Sequence, residues 1–256
     1  MSVRILRWKG GFGGDTVLRF ILKSNPLFKT NVIYDSSNTV TSKGGTKPNL
    51  SHINYENLSC IDKIALDWSV VRTVDPEEFK NSINELNNSI DDYFLKSHYY
   101  LSDFFNDMTI DIVADHEALP FCLNAMLNKT KILEWNVNDT IKLIKDPLIR
   151  KQYVLYSMAQ DYLQNSNLSA NLLAVSDILL SWEHLSASLR KFNIVIDSNL
   201  QDTYNYWISK NTGYFPSRRY KDYVKNKNYY FDDESLTIAE RYSLLALAKE
   251  KFKILN

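Results

Sequence analysis

The chain has 256 residues, of which 45% are hydrophobic and 23% charged, so it can bury one large core or two smaller ones. Its 30 Lys and Arg residues balance 30 Asp and Glu residues, which excludes the basic excess of an extended nucleic-acid surface. No apolar run approaches the roughly 18 residues of a membrane helix, and MSVRILRWKGG lacks a signal-peptide core. We therefore expect no membrane span and a cytoplasmic protein. Cys60 and Cys122 lack zinc-ligand spacing and are expected to be buried thiols.

Apolar and amphipathic segments alternate along the first half of the chain. VRILRW is predicted as a strand and DTVLRFILKSN as a helix that Asp15 or Thr16 can cap. TNVIYDSS is predicted as a second strand, and residues 40–60 as a polar loop or lid. The helix DPEEFKNSINELNNSI, capped by Asp75, is followed by strands in DDYFLKSHYYL and MTIDIVAD.

The second half continues the alternation. HEALPFCLNAML and DPLIRKQYVLYSMAQDYLQNS are predicted helices, and NLLAVSDILL is predicted as a strand followed by a turn. Helices follow in SWEHLSASLRKFNI and DSNLQDTYNYWISKN, and an amphipathic helix over residues 236–255 ends the chain. Because strands alternate with helices and no repeat occurs, we expect a single α/β domain over residues 1–256. Its three layers would consist of a mostly parallel sheet flanked by helices.

The stretch RWKGGFGGDT holds four of the seven glycines between a predicted strand and a predicted helix. Glycine lets the main chain approach an anion closely, and the start of a helix adds partial positive charge. This context predicts an anion-binding loop made of Lys9, Gly10, Gly11, Phe12, Gly13, Gly14, Asp15 and Thr16. A tight turn that needs glycine only for close packing is the alternative.

The loop departs from the phosphate-binding pattern GxxxxGK[ST]. With Gly14 on the second glycine, Asp15 takes the position of the lysine and Lys9 that of the first glycine. A carboxylate within about 4 Å of a phosphate oxygen is repelled by about 1 kcal/mol in water. Asp15 therefore either turns away as a cap, or the loop holds no polyphosphate. Arg7 and Lys9 are candidates to supply the missing cation.

The order of four segments resembles the sulfotransferase family, a branch of the P-loop NTPase fold. These are the glycine loop, Lys96-Ser97-His98 at a strand end, MTIDIVADHEALPFCLNAM, and LLAVSDILLSWEHLSASLRKFNIVIDSNL. The resemblance implies transfer of a sulfuryl group from 3′-phosphoadenosine 5′-phosphosulfate to an acceptor hydroxyl. It further implies His98 as the general base and Lys96 as the cation that steadies the transferred group.

Several positions differ from the family pattern. Phe12 stands where the family has the basic residue of its loop. The family's loop ends Gly-Thr-Thr, and here Asp15 takes the place of the first threonine between Gly14 and Thr16. Ala114 and Cys122 stand where the family has the Arg and Ser of its 3′-phosphate site. The resemblance implies that basic residues of the late segment SRRYK, Arg218 and Arg219, reach that phosphate.

The residues themselves also favour His98 as a base. An imidazole with a pKa near 6.5 can accept a proton at neutral pH, and the carboxyl end of a strand is where open α/β sheets bind ligands. His116 is the alternative base. Two other functions stay open: a P-loop kinase of a small metabolite or nucleotide that uses Mg-ATP with Asp115, and a non-catalytic relative that binds a nucleotide or a partner. The acceptor, a small-molecule or biopolymer hydroxyl, and the oligomeric state are not determined by the sequence.

Overall fold

The computed structural model describes residues 2–9, 12–34, 40–42, 58–66, 75–98, 103–114, 122 and 168–209. The strands in these ranges are β1 Val3–Trp8, β2 Val32–Tyr34, β3 Val40–Ser42, β4 Tyr93–Ser97, β5 Thr109–Val113 and β6 Asn171–Ala174. The α-helices are α1 Gly14–Ser24, α2 Cys60–Lys63, α3 Pro76–Asn87, α4 Val175–Leu180, α5 Trp182–Arg190 and α6 Gln201–Ser209. Short 3₁₀ turns occupy Asp103–Met108 and Ser198–Leu200.

Four of these strands form a parallel sheet in the order β4-β1-β5-β6. The predicted α/β fold with a parallel sheet and flanking helices is confirmed at this level. Within the sheet, β4 lies next to β1 on one side, and β5 lies next to β1 on the other side, followed by β6. From β1 the chain leads to β4, and from β5 it leads away from β1 to β6. The connections therefore diverge between β1 and β5, which in open α/β sheets marks the ligand crevice beyond the carboxyl ends of the strands.

Buried side chains cover both faces of the sheet. Successive side chains of a strand point to opposite faces, so β1 contributes to both. One buried cluster joins Leu6 and Trp8 of β1 to residues of α1, α4 and α5. A second cluster joins Val3 and Ile5 to residues of α3, including Phe79. Because β1 is buried on both faces, VRILRW carries apolar residues at odd-numbered and at even-numbered positions.

Three expectations about local structure are wrong. The second predicted strand does form, but β2 pairs antiparallel with β3 in a separate two-stranded sheet. Only residues 35–39 separate these strands, and so short a connection suits a hairpin rather than a parallel crossover. The loop predicted from residue 40 onwards thus begins later than expected, because residues 40–42 form the strand β3.

The segment after β6, expected to be a turn, is the helix α4. Its buried residues Val175, Ile178 and Leu179 recur at helical spacing. The cap of α1 is also not Asp15 or Thr16: Gly13 is the N-cap residue, and no side chain caps the helix. By contrast, the predicted cap of α3 is confirmed, since Asp75 Oδ1 accepts the N–H groups of Glu77 and Glu78 at 2.9 Å.

The helices predicted at 116–127, 146–166 and 236–255 lie outside the described residues, apart from Cys122, as does most of the predicted lid at 40–60. Cys60 and Cys122 are both buried. In the part of the chain that the structure describes, no helix is both long and apolar enough to cross a membrane.

Candidate functional site

Polar groups from β4 and the amino end of α1 meet at the carboxyl edge of the parallel sheet. Lys96 lies in β4, His98 follows that strand, and α1 begins a few residues after β1. Since β1 and β4 are paired and parallel, their carboxyl ends lie side by side. The connections diverge next to this position, between β1 and β5, and at the same carboxyl edge, so this edge is the candidate ligand site.

Two of the glycines are explained by the structure, one by its backbone conformation and one by its packing. Gly13 has φ 73° and ψ 11°, a left-handed conformation that suits glycine. A Cβ on Gly14 would lie 2.0 Å from Cδ2 of Trp8, because the indole ring packs directly against this residue. Phe12 is 2% exposed and belongs to the core, so only its main chain could face a ligand. Gly10 and Gly11 lie outside the described residues.

The start of α1 offers main-chain donors. The carbonyl of Gly13 accepts the N–H groups of Thr16 at 3.0 Å and Val17 at 3.2 Å. Among the described residues, the N–H groups of Gly14 and Asp15 have no hydrogen-bond acceptor. These two donors lie at the positive end of the α1 dipole, where an anion is stabilised.

Lys96 brings a buried positive charge to the same place. Its side chain is 7% exposed, and Nζ lies 2.7 Å from Oδ1 of Asp15, whose side chain is 48% exposed. Nζ also lies 5.2 Å from the centre of the Trp8 ring, within range of a cation–π interaction. A lysine of the neighbouring strand therefore contacts the carboxylate that replaces the lysine of the phosphate-loop pattern.

His98 is half-buried and oriented by Trp8. Its Nδ1 lies 3.0 Å from the Trp8 carbonyl oxygen, and the two rings make a T-shaped contact with centroids 5.0 Å apart. Because a carbonyl oxygen only accepts hydrogen bonds, Nδ1 carries the hydrogen. In the neutral ring the basic lone pair is therefore on Nε2, the atom that a general base would use.

Asn31 is a site residue that the sequence reasoning missed. It is 1% exposed, and its Oδ1 accepts the N–H of Lys96 at 2.8 Å while Nδ2 donates to the Lys96 carbonyl at 3.0 Å. Nδ2 also donates to the carbonyl of Ile61 at 2.7 Å. The amide thus pairs with the outer edge of β4 as a neighbouring strand would, and it holds the Lys96 main chain in place. An asparagine in a short polar connection is so common that no sequence signal marked it.

Arg7, a candidate for the missing loop cation, lies in a buried ion pair with Asp111. Its Nε and Nη2 contact Asp111 Oδ1 and Oδ2 at 2.5 and 2.8 Å, and both residues are buried. Asp111 Oδ2 also accepts the N–H of Ser169 at 2.7 Å. Strand alternation places Arg7 on the face of the sheet opposite Lys96. Lys9, half-buried just beyond β1, is the other cation proposed for the loop.

The remaining predicted positions contribute less at this edge or lie elsewhere. Thr16 is in the first turn of α1, and Ala114 and Cys122 are buried residues without charge. His116, Arg218 and Arg219 lie outside the described residues. Within the described ranges, no group of three or more His, Cys, Asp or Glu side chains could hold a metal ion.

Searches against protein-family models, curated proteins and solved structures found no match to this chain.

Proposed function

We propose that the protein is a sulfotransferase-like enzyme that moves a sulfuryl group from 3′-phosphoadenosine 5′-phosphosulfate to an acceptor hydroxyl. The observation that supports this most is the contact of Lys96 with Asp15 at the amino end of α1, with His98 held by the Trp8 carbonyl at the same carboxyl edge. A buried cation, two main-chain donors and an oriented imidazole are the groups that transfer from an anionic donor requires.

The described residues fit such a donor in part. The N–H groups of Gly14 and Asp15 would bind acidic oxygens, and Lys96 would add positive charge. The Asp15 carboxylate opposes this, because two unit charges of the same sign 4 Å apart repel by about 1 kcal/mol in water and about 4 kcal/mol at an effective dielectric constant of 20. The donor would therefore bind with the Asp15 carboxylate turned away from Lys96.

The chemistry would use His98 as the base. Nε2 takes the proton of the acceptor hydroxyl while the acceptor oxygen forms a bond to sulfur. The bond between sulfur and the donor's phosphate oxygen breaks, and adenosine 3′,5′-bisphosphate leaves. The Trp8 carbonyl accepts from Nδ1–H and so stabilises the imidazolium that forms. Lys96 and the main-chain donors of α1 stabilise the negative charge of the transition state.

A non-catalytic relative that binds a nucleotide or a partner is the second candidate. Two observations favour it: the close contact of Trp8 with Gly14 and the burial of Phe12 explain part of the glycine loop by packing alone. A P-loop kinase that uses Mg-ATP is the third possibility from the sequence, but its candidate Asp115 lies outside the described residues.

Thermal denaturation of the full chain with different nucleotides separates these functions. We expect adenosine 3′,5′-bisphosphate to raise the melting temperature without metal, since a ligand bound to the folded state stabilises it. A rise with ATP and magnesium alone would favour the kinase. No rise with any nucleotide would favour the non-catalytic relative and contradict the proposed activity.

Transfer of labelled sulfate to phenols, alcohols and sugars then tests the base. His98→Ala is expected to lower the transfer rate by roughly 100-fold or more while the bisphosphate still stabilises the protein. His184→Ala is the matched control, because this histidine lies in the first turn of α5 with Nδ1 2.9 Å from Ser181 Oγ. Equal rates for both variants would remove His98 from the mechanism.

A further inference from the structure

We propose that Asp15 is a built-in competitor for Lys96, and that the phosphate-bearing ligand of this site binds by exchanging with the Asp15 carboxylate. The proposal rests on the proposed function only in taking this edge of the sheet as the ligand site. It assigns a regulatory role to the residue that breaks the phosphate-loop pattern.

Lys96 is the fixed partner of the ion pair. Its main chain is held on one side by β1 and on the other by both polar atoms of the Asn31 amide. Its side chain is almost fully buried, with Nζ near the face of the Trp8 ring. A buried ammonium group is destabilising without a counter-ion, so an anion beside Nζ stabilises the folded protein.

Asp15 is the partner that can move. Its side chain is about half exposed, at 48%, and its only hydrogen bond from the described side chains is the one from Lys96. It lies in the first turn of α1, where a rotation of the short side chain would carry the carboxylate into water without disturbing the helix. The pair can therefore open on the Asp15 side alone.

The position of the carboxylate indicates the chemical class of the ligand. Its oxygen contacts Nζ, and it belongs to the same first turn of α1 whose N–H groups of Gly14 and Asp15 have no acceptor among the described residues. A tetrahedral anion there would use the ammonium group and both N–H donors, whereas the carboxylate contacts the ammonium group. A ligand with more negative charge than a carboxylate also competes more strongly for Lys96. This favours a group with two or more charges, such as a pyrophosphate or a nucleotide bisphosphate.

Calorimetric titration of the full chain with inorganic pyrophosphate, and separately with adenosine 3′,5′-bisphosphate, tests the exchange. Asp15→Asn removes the competing charge and is expected to bind pyrophosphate about tenfold more tightly than the wild type. Asp202→Asn makes the same charge change in the first turn of α6 and should alter affinity by less than about twofold. Adding Lys96→Met to Asp15→Asn should abolish the gain. If only the bisphosphate shows the gain, the site requires the nucleoside as well.

Stability provides a second measurement. Asp15→Asn leaves Lys96 without its counter-ion, so its melting temperature should lie below that of the wild type and should rise more on addition of pyrophosphate. Asp15→Ser repeats the test if Asp15→Asn does not fold. Unchanged or weaker binding in the Asp15 variants, an equal gain in Asp202→Asn, or no binding of either ligand by any variant would overturn the exchange. Loss of sulfuryl transfer alone would overturn the proposed function and leave the exchange standing, because anion binding requires no transfer.

Discussion

Trp8 connects the separate polar groups of the candidate site. Its ring packs against Gly14 and lies 5.2 Å from Lys96 Nζ, and its carbonyl oxygen accepts from His98. One residue at the end of β1 thus sets the start of α1, the environment of the buried cation and the tautomer of the histidine. The identity of residue 14 follows from this contact, because any side chain there would enter the space of the indole.

We predict that Gly14→Ala destabilises the protein by about 1–3 kcal/mol, the usual cost of overpacking a core. The added Cβ would lie 2.0 Å from an indole carbon, so the ring or the helix must shift. The cost should fall sharply in a Trp8→Leu background, where the indole is absent. Urea denaturation of the two single variants and the double variant measures this coupling.

Gly13→Ala is the control for this cycle. Its cost of about 1 kcal/mol comes from the left-handed backbone at φ 73° and should be the same in the wild type and in the Trp8→Leu background. If Gly14→Ala costs as much in the Trp8→Leu background as in the wild type, the close contact does not determine the glycine.

At the scale of the strands, a buried ion pair fastens β1 to β5 and to the chain that enters β6. Arg7 and Asp111 lie opposite each other in the parallel register, and Asp111 also accepts the Ser169 N–H. Removing one partner of a buried pair leaves an uncompensated charge, which is more costly than losing both.

We therefore predict that Asp111→Leu lowers the free energy of unfolding by about 3–5 kcal/mol, because it removes the Asp111 carboxylate from the buried Arg7 guanidinium. Adding Arg7→Met should restore about 2 kcal/mol of that loss. The deficit that remains should be about 1–3 kcal/mol, the cost of leaving the Ser169 N–H without an acceptor. Urea denaturation of the single and double variants checks both values. A double variant as unstable as Asp111→Leu would show that the buried charge is not the cause.

Most elements with a strong local pattern could be predicted from the sequence. The apolar run VRILRW, the capped segment after Asp75 and the amphipathic segment after Ser181 became β1, α3 and α5. The pairing of β2 with β3 could not, because three-residue strands carry too little periodicity to define a partner. The sequence placed Lys96 and His98 at a strand end, but it could not bring Asp15 beside Lys96. That contact spans 81 positions and depends on how β1 and β4 pair.

Across the whole molecule, the two clusters on opposite faces of the sheet each contain a buried weak acid. Cys60 lies in the cluster beside α3, and Tyr204 of α6 lies in the cluster beside α1 and α5. Burial, followed by the negative charges of Glu78 and Asp75, raises the pKa of Cys60 from 9.0 to about 11. Burial, followed by the charge of Glu183, raises the pKa of Tyr204 above its usual 10.0. Both cores therefore favour the protonated form of their acid.

We predict that the protein loses stability as the pH rises from 9 towards 11. Above pH 9 the unfolded chain releases the Cys60 proton while the folded chain retains it up to about pH 11. The unfolded state then binds fewer protons, so the free energy of unfolding falls with pH, by on the order of 2 kcal/mol from this thiol. Urea denaturation under reductant at pH 8, 9, 10 and 11 measures the fall. Cys60→Ala should make the fall in the free energy of unfolding with pH less steep, and adding Tyr204→Phe should reduce its steepness further. An equally steep fall in Cys60→Ala would exclude the thiol as its source.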